Sequence, residues 1–164
     1  MNKKDANTGP TAPLFWIALL RIVVGLMFLT TWLPNFLDGL YTPDGLQRFF
    51  TQEYPQSENS LAFYAGFIEN AILPARQAFA PFQLVAEFLL GLAILVGIFT
   101  PLASIAGIFF LLNTMLATWG HDWKWSYILP ISILLVVLFT HAGRALGVDA
   151  HFLKRFGKRH FLLW

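Results

Sequence analysis

The sequence contains no cysteine, and that absence removes disulfides, thiolate nucleophiles and thiolate metal sites. It also excludes covalent c-type haem and a cysteine-held iron–sulfur cluster, so neither is expected here. Charge is scarce: 12% of residues are charged and the net charge is +2, too little to call for nucleic acid as a partner. No phosphate loop, nucleophile triad or dinucleotide fingerprint occurs, and no two histidines have the spacing of a metal or bis-haem site within one helix. What fills the chain instead is apolar. Hydrophobic residues make up 57% of it, with 17 phenylalanines and six tryptophans, more apolar surface than a water-soluble domain of 164 residues can hide. The solvent implied is a lipid bilayer.

Four apolar runs are long enough to cross a hydrocarbon core of roughly 30 Å at 1.5 Å per residue. They cover about 14–37, 81–99, 101–119 and 126–141, within a domain spanning 13–149. Residues 1–12 are polar and read as a flexible tail. Lys3 and Lys4 resemble the basic flank of a signal peptide, but the following run is too long and lacks a small-residue cleavage site, so it is expected to stay in the mature protein. Between the first two runs, Thr42, Pro43 and Asp44 read as a helix start, with Leu46, Phe49, Phe50 and Tyr54 at helical spacing behind it. Leu61, Tyr64, Ile68 and Ile72 repeat the pattern up to Pro74. Two short amphipathic helices should therefore lie on the membrane surface or cap the bundle. Thr100 and Pro101 leave room only for a tight antiparallel turn. Gly91, Ala103 and Gly107 should let helices approach closely. Residues 150–164 form a basic, amphipathic tail suited to the headgroup layer. The fold class is thus an all-α membrane protein, an antiparallel bundle of four transmembrane helices.

Orientation follows from the basic residues. Seven fall in the tails (Lys3, Lys4, Arg144, Lys154, Arg155, Lys158 and Arg159) and three in the opposite loops (Arg48, Arg76 and Lys124). Both termini should be cytoplasmic in an inner (plasma) membrane. On the outer face the long loop and the segment WGHDWKWSY then come together.

Arg21 and Glu87 are the only arginine, lysine, aspartate or glutamate residues within the four runs, and a charge in hydrocarbon normally faces the bundle interior with a partner. Counted from the cytoplasmic ends they lie roughly 10 Å and 16 Å deep, a gap that an arginine side chain covers. Two readings stand: a buried polar pair that fixes packing, or a buried site for a quinone carbonyl or a proton. His121, beside Asp122, has the chemistry of a proton relay, a metal ligand or an axial pigment ligand, against the plainer reading of a solvated loop histidine. Trp119, Trp123 and Trp125 are either ring-stacking contacts for a quinone or interfacial anchors. His141 suits a helix C-terminus electrostatically.

The stretches LRIVVGLMFL, AEFLLGLAILVGIFTPLASIAG and WSYILPISILLVVLFTHAGRALGVDA resemble the DoxX/DoxD family. In particular the chain resembles the DoxD-type small membrane subunit associated with thiosulfate:quinone oxidoreductase. The resemblance implies four membrane helices, a quinone as cofactor and other membrane subunits as partners. It also implies roles for an arginine in the first span, a glutamate in the second and a glycine-arginine turn leading to an aspartate after the fourth. These are Arg21, Glu87, Gly143, Arg144 and Asp149. Where the family often has a lysine near the outer end of the first span, this sequence has Pro34 and Asn35. The function implied is that of a membrane subunit in an electron-transfer or quinone-linked oxidoreductase complex, not catalytic alone. The competing class is a non-catalytic accessory subunit of a larger respiratory or photosynthetic assembly.

Overall fold

The computed structural model describes residues 13–157 and Leu163. The polar N-terminal segment and most of the final basic stretch, with Lys158, Arg159 and His160, lie outside the described residues. Among those described, the chain is all helical. Its elements are α1 (Leu14–Leu37), α2 (Pro43–Arg48), α3 (Ala62–Phe67), α4 (Arg76–Val96), α5 (Thr100–Ala117), α6 (Trp125–Thr140) and α7 (Val148–Phe156). Short π turns extend α2 and α3, over Phe49–Glu53 and Ile68–Ile72. Three helices, α1, α4 and α5, are long and apolar enough to cross a membrane, while the apolar α6 is shorter at 16 residues.

These four helices pack in a ring, α1 against α4 and α6, and α5 against α6 and α4. The closest seam is α1 with α4, and glycine makes it possible: a Cβ on Gly25 would come within 2.6 Å of the Leu95 Cα, and one on Gly91 within 2.9 Å of the Leu29 side chain. In lipid, where apolar surface gives no drive for helices to associate, such backbone approach supplies the dispersion contacts that hold them. Gly107 of α5 does the same against Leu134 and Ile94. The centre is filled by Val24, Phe28, Ile94, Ala103, Leu111 and Leu134. α4 meets α5 more sparsely.

The excursion between α1 and α4 caps the bundle. The Thr42 hydroxyl accepts the Gly45 amide at 3.0 Å and starts α2, as its sequence signals. Leu46, Phe50, Tyr64 and Ile68 then pack with Ala80 and Ala117, the facing ends of α4 and α5. Two buried amides pin this cap. Gln56 Nε2 donates to the Ala117 carbonyl at 3.1 Å, and Asn59 Nδ2 donates to those of Leu116 and Ala117 at 3.0 and 3.3 Å. The last carbonyls of a helix lack partners in their own ladder, and here the loop supplies them.

Two expected boundaries move. α4 starts at Arg76 rather than Pro81, which sits in its second turn. The hairpin turns over residues 97–99, with Gly97 and Phe99 both left-handed, so Thr100 and Pro101 form the first turn of α5. Proline has no amide to donate, and the first turn of a helix asks for none.

Candidate functional site

A groove of about 1120 Å³ runs between α4 and α5, with α1 at its back and the capping helices at one end. Its space has a sequence origin. Alanines line both walls, Ala86 and Ala93 on α4 and Ala103 and Ala106 on α5, where larger side chains would meet across a sparsely packed seam. Toward the turn at residues 97–99 the walls are apolar, with Ile98, Leu102 and Phe99. The polar groups gather at the capped end: Asn35, Gln83, Glu87, Asn113, Thr114 and Tyr64 on one stretch, and Thr118, Asp122 and Tyr127 beyond them.

Glu87 is 4% exposed. Its Oε2 accepts the Tyr41 hydroxyl at 2.9 Å, and Gln83, one turn earlier on α4, hydrogen-bonds the same carboxylate. Tyr41 is itself buried, hydrogen-bonded by Asn35 and stacked on Trp32, whose indole nitrogen donates to the Leu84 carbonyl at 3.0 Å. A carboxylate and a primary amide therefore meet at the groove, able between them to accept and to donate hydrogen bonds, with the Tyr41 phenol behind them holding the carboxylate. Burial raises the Tyr41 hydroxyl above its ordinary titration range, with the Glu87 charge adding to it, so the phenol remains a donor.

Asp122 is held by two phenols. It accepts from Tyr54 at 3.2 Å and from Tyr127, whose hydroxyl also meets Thr118 at 3.1 Å. Burial, then the Asp122 charge and hydrogen bond, push the Tyr54 hydroxyl up. The adjacent His121 does not line the groove and meets the Tyr54 ring edge-on, 5.7 Å between centres. Trp119, Trp123 and Trp125 also stand outside the groove. Trp123 and Trp125 are 73% and 57% exposed, and Trp119 carries Lys124 Nζ 4.6 Å above its ring. Of the two readings the sequence leaves open for these residues, their places outside the groove agree with interfacial tryptophans rather than with ring contacts. An indole at a membrane boundary gains by facing the headgroups.

Arg21 is fully buried, yet it does not pair with Glu87. Nη1 donates to the Ile94 and Leu95 carbonyls at 2.6 and 2.7 Å, and Nη2 to the Leu146 carbonyl at 2.9 Å. A helical side chain leans toward the N-terminus of its own helix, which carries the guanidinium away from Glu87. It also brings it to the end of α4, where orphan carbonyls and the negative helix pole favour a cation. Across the same hairpin Asp149 caps α5, its carboxylate taking the amides of Phe99 and Thr100 at 2.7 and 2.9 Å.

Residues 16–120 match the DoxX family model. That is more than half of the sequence. The chain belongs to the DoxX family. No curated protein and no solved structure matches it. In this DoxX chain the matched region runs from the first turn of α1 through α5, and so contains Arg21, Glu87 and both walls of the groove. Asp149 and Gly143 lie beyond the match but complete its inner end. Gly143 packs directly on Thr100 and Asp149, and Gly97 on the Arg21 guanidinium, so a side chain at either position would displace the clasp. Three non-glycine residues, Phe99, His141 and Leu146, adopt left-handed backbone at this same end, at a strain of about 1–2 kcal/mol each. Among the described residues no group of three histidine, cysteine, aspartate or glutamate side chains is placed to hold a metal ion. The residues that reading the sequence missed are Tyr41, Gln83 and Asn113. The only signal for Gln83 was its position one helical turn from Glu87.

Proposed function

We propose that this DoxX protein is the quinone-holding membrane subunit of an electron-transfer or quinone-linked oxidoreductase complex. In this reading α6 is the fourth membrane span and both termini face the cytoplasm, on the side favoured by the basic residues of the two tails. The observation that carries the proposal is the groove between α4 and α5: large, mostly apolar, and polar at one end around Glu87. Small-molecule sites typically combine apolar walls with a few convergent polar groups, in volumes of roughly 300–1,000 Å³. A quinone and its quinol differ in what they ask of such a site. The quinone carbonyl accepts a hydrogen bond, which the Gln83 or Asn113 amide can donate. The quinol hydroxyl donates one, which the Glu87 carboxylate can accept. In this reading the redox partner is a separate subunit.

The test is to purify the native assembly in mild detergent, identify its chains and extract its quinone. We expect companion chains and a quinone content that falls when Glu87→Gln replaces the native residue. Companion chains without quinone would leave the non-catalytic accessory role in its place, and a chain that purifies alone would count against both.

A further inference from the structure

Resting on that reading, we infer that the groove is loaded sideways from the bilayer by a long-chain quinone, ring at the Glu87 end and isoprenoid chain lying along the alanine-lined walls toward Phe99. Three observations meet here. The capped end is closed over by buried apolar side chains of the first loop, Leu46, Phe50, Tyr64 and Ile68, so water does not have a wide path to Glu87 from that side. Of the eight exposed residues that line the groove, six are apolar, the exceptions being Thr31 and Ser126. Leu89 and Phe109 are among the six, one on each helix. Leu89 lies eight residues before Gly97 and Phe109 ten after Phe99, about 12 and 15 Å from the turn, so they flank the opening at similar depth. An opening rimmed by leucine and phenylalanine in the middle of two membrane-length helices faces acyl chains.

The shape selects the occupant. From Glu87 to Phe99 the groove extends twelve residues along α4 and the turn, about 18 Å, and its polar groups sit at the upper end. A bare ring would fill the polar end and leave the alanine-lined length empty, which forfeits dispersion contacts along both walls. A molecule with one compact polar head and one narrow apolar chain fills both. The ring then lies between Glu87 with Gln83 on α4 and Asn113 on α5, where the Tyr64 hydroxyl donates to Asn113 Oδ1 at 2.7 Å.

Because the chain has no cysteine, one site can be labelled cleanly. The full-length protein carrying Ala106→Cys, in the α5 wall of the groove, is spin-labelled and reconstituted in quinone-free phosphatidylcholine vesicles. Ile105→Cys, on the exposed outer face of α5, is the control. Melting of each variant confirms folding. Sideways loading requires that dissolved oxygen, and not a water-soluble nickel chelate, relaxes the label at position 106. Adding a long-chain quinone should then immobilise that label and remove the oxygen effect, leaving position 105 unchanged. Relaxation by the nickel chelate together with a quinone response would overturn loading from the lipid while leaving quinone binding intact. Oxygen access with no response to quinone would overturn the occupant and, with it, the quinone-holding reading, and the groove would be a slot for phospholipid chains.

Discussion

Asp149 and Thr100 are 49 positions apart in sequence and share one hydrogen bond of 2.9 Å, in which the carboxylate after α6 accepts the amide that opens α5. With the second bond, to the Phe99 amide, it fastens the chain's last described helix to the α4–α5 hairpin. Arg21 fastens the other side of the same hairpin through the final carbonyls of α4.

Replacing Asp149 with alanine strands two amides in a buried setting, each costing about 1–3 kcal/mol. Asp149→Ala should therefore lower the melting temperature in detergent clearly more than Asp149→Asn, which retains one acceptor oxygen. Equal melting of the two variants would show that the cap does not hold the hairpin.

Gly143→Ala should destabilise about as strongly as loss of the cap, since its methyl group would enter the space of Thr100 and Asp149. Gly66→Ala serves as the comparison, because the nearest atom to a Cβ there is Asn70 Nδ2 at 3.9 Å and the backbone is helical. That variant should match or slightly exceed the parent in melting temperature, by about 0.5–1 kcal/mol of added stability.

Arg21→Leu and Glu87→Leu should act independently. Ile94, the nearer α4 carbonyl that Arg21 reaches, is seven residues, about 10 Å, from Glu87 along the helix. Folded yield and melting of the double variant should equal the sum of the single effects to within about 0.5 kcal/mol. A coupling well above that would mean that the two side chains meet.

Alkaline stability should depend on the buried phenols outside the long helices. Burial raises the Tyr41, Tyr54 and Tyr64 hydroxyls, aided at Tyr41 by the Glu87 charge and at Tyr54 by that of Asp122. In the unfolded chain each titrates at about 10. The folded state prefers the protonated phenols, so their contribution is complete below that pH and is lost as pH rises toward the higher folded values. Melting temperature should fall above a pH of about 10, and Tyr54→Phe should make the decline shallower. An unchanged slope would count against the Tyr54–Asp122 contact.

A reporter fused after Trp164 should be active only on the cytoplasmic side. Periplasmic activity would reverse the orientation drawn from the basic residues and place the capped end of the groove in the cytoplasm.

How far the sequence alone leads is clear from particular residues. Long, mostly apolar runs declared α1 and α5, and Thr42–Pro43–Asp44 declared the start of α2, because hydropathy and capping are local properties. The burial of Arg21 and Glu87 was also legible, since charge in an apolar run has few places to go. Their partners were not. Arg21 is satisfied by backbone carbonyls, which every residue possesses and no residue type announces. Gln56 and Asn59 looked like ordinary loop residues until the fold brought them onto the end of α5. The apolar run begins at about residue 81, whereas α4 starts at Arg76, behind a Leu73-Pro74-Ala75 turn with no capping side chain to announce it. The groove itself depends on how far α4 and α5 separate, a distance written in no single segment.

The brevity of α6 has a consequence for the surrounding lipid. Sixteen residues extend about 24 Å, short of the roughly 30 Å of an average hydrocarbon core. If α6 spans the bilayer as proposed, the leaflets beside it must thin, while those beside the 24-residue α1 need not. The protein would then sit in a lopsided annulus, thinner on one flank, at a cost of fractions of a kcal/mol per Å of mismatch. A second membrane protein with an equally short flank relieves that deformation by sharing it. Bilayer thickness alone would thus favour particular neighbours along α6, before any specific contact forms between the chains.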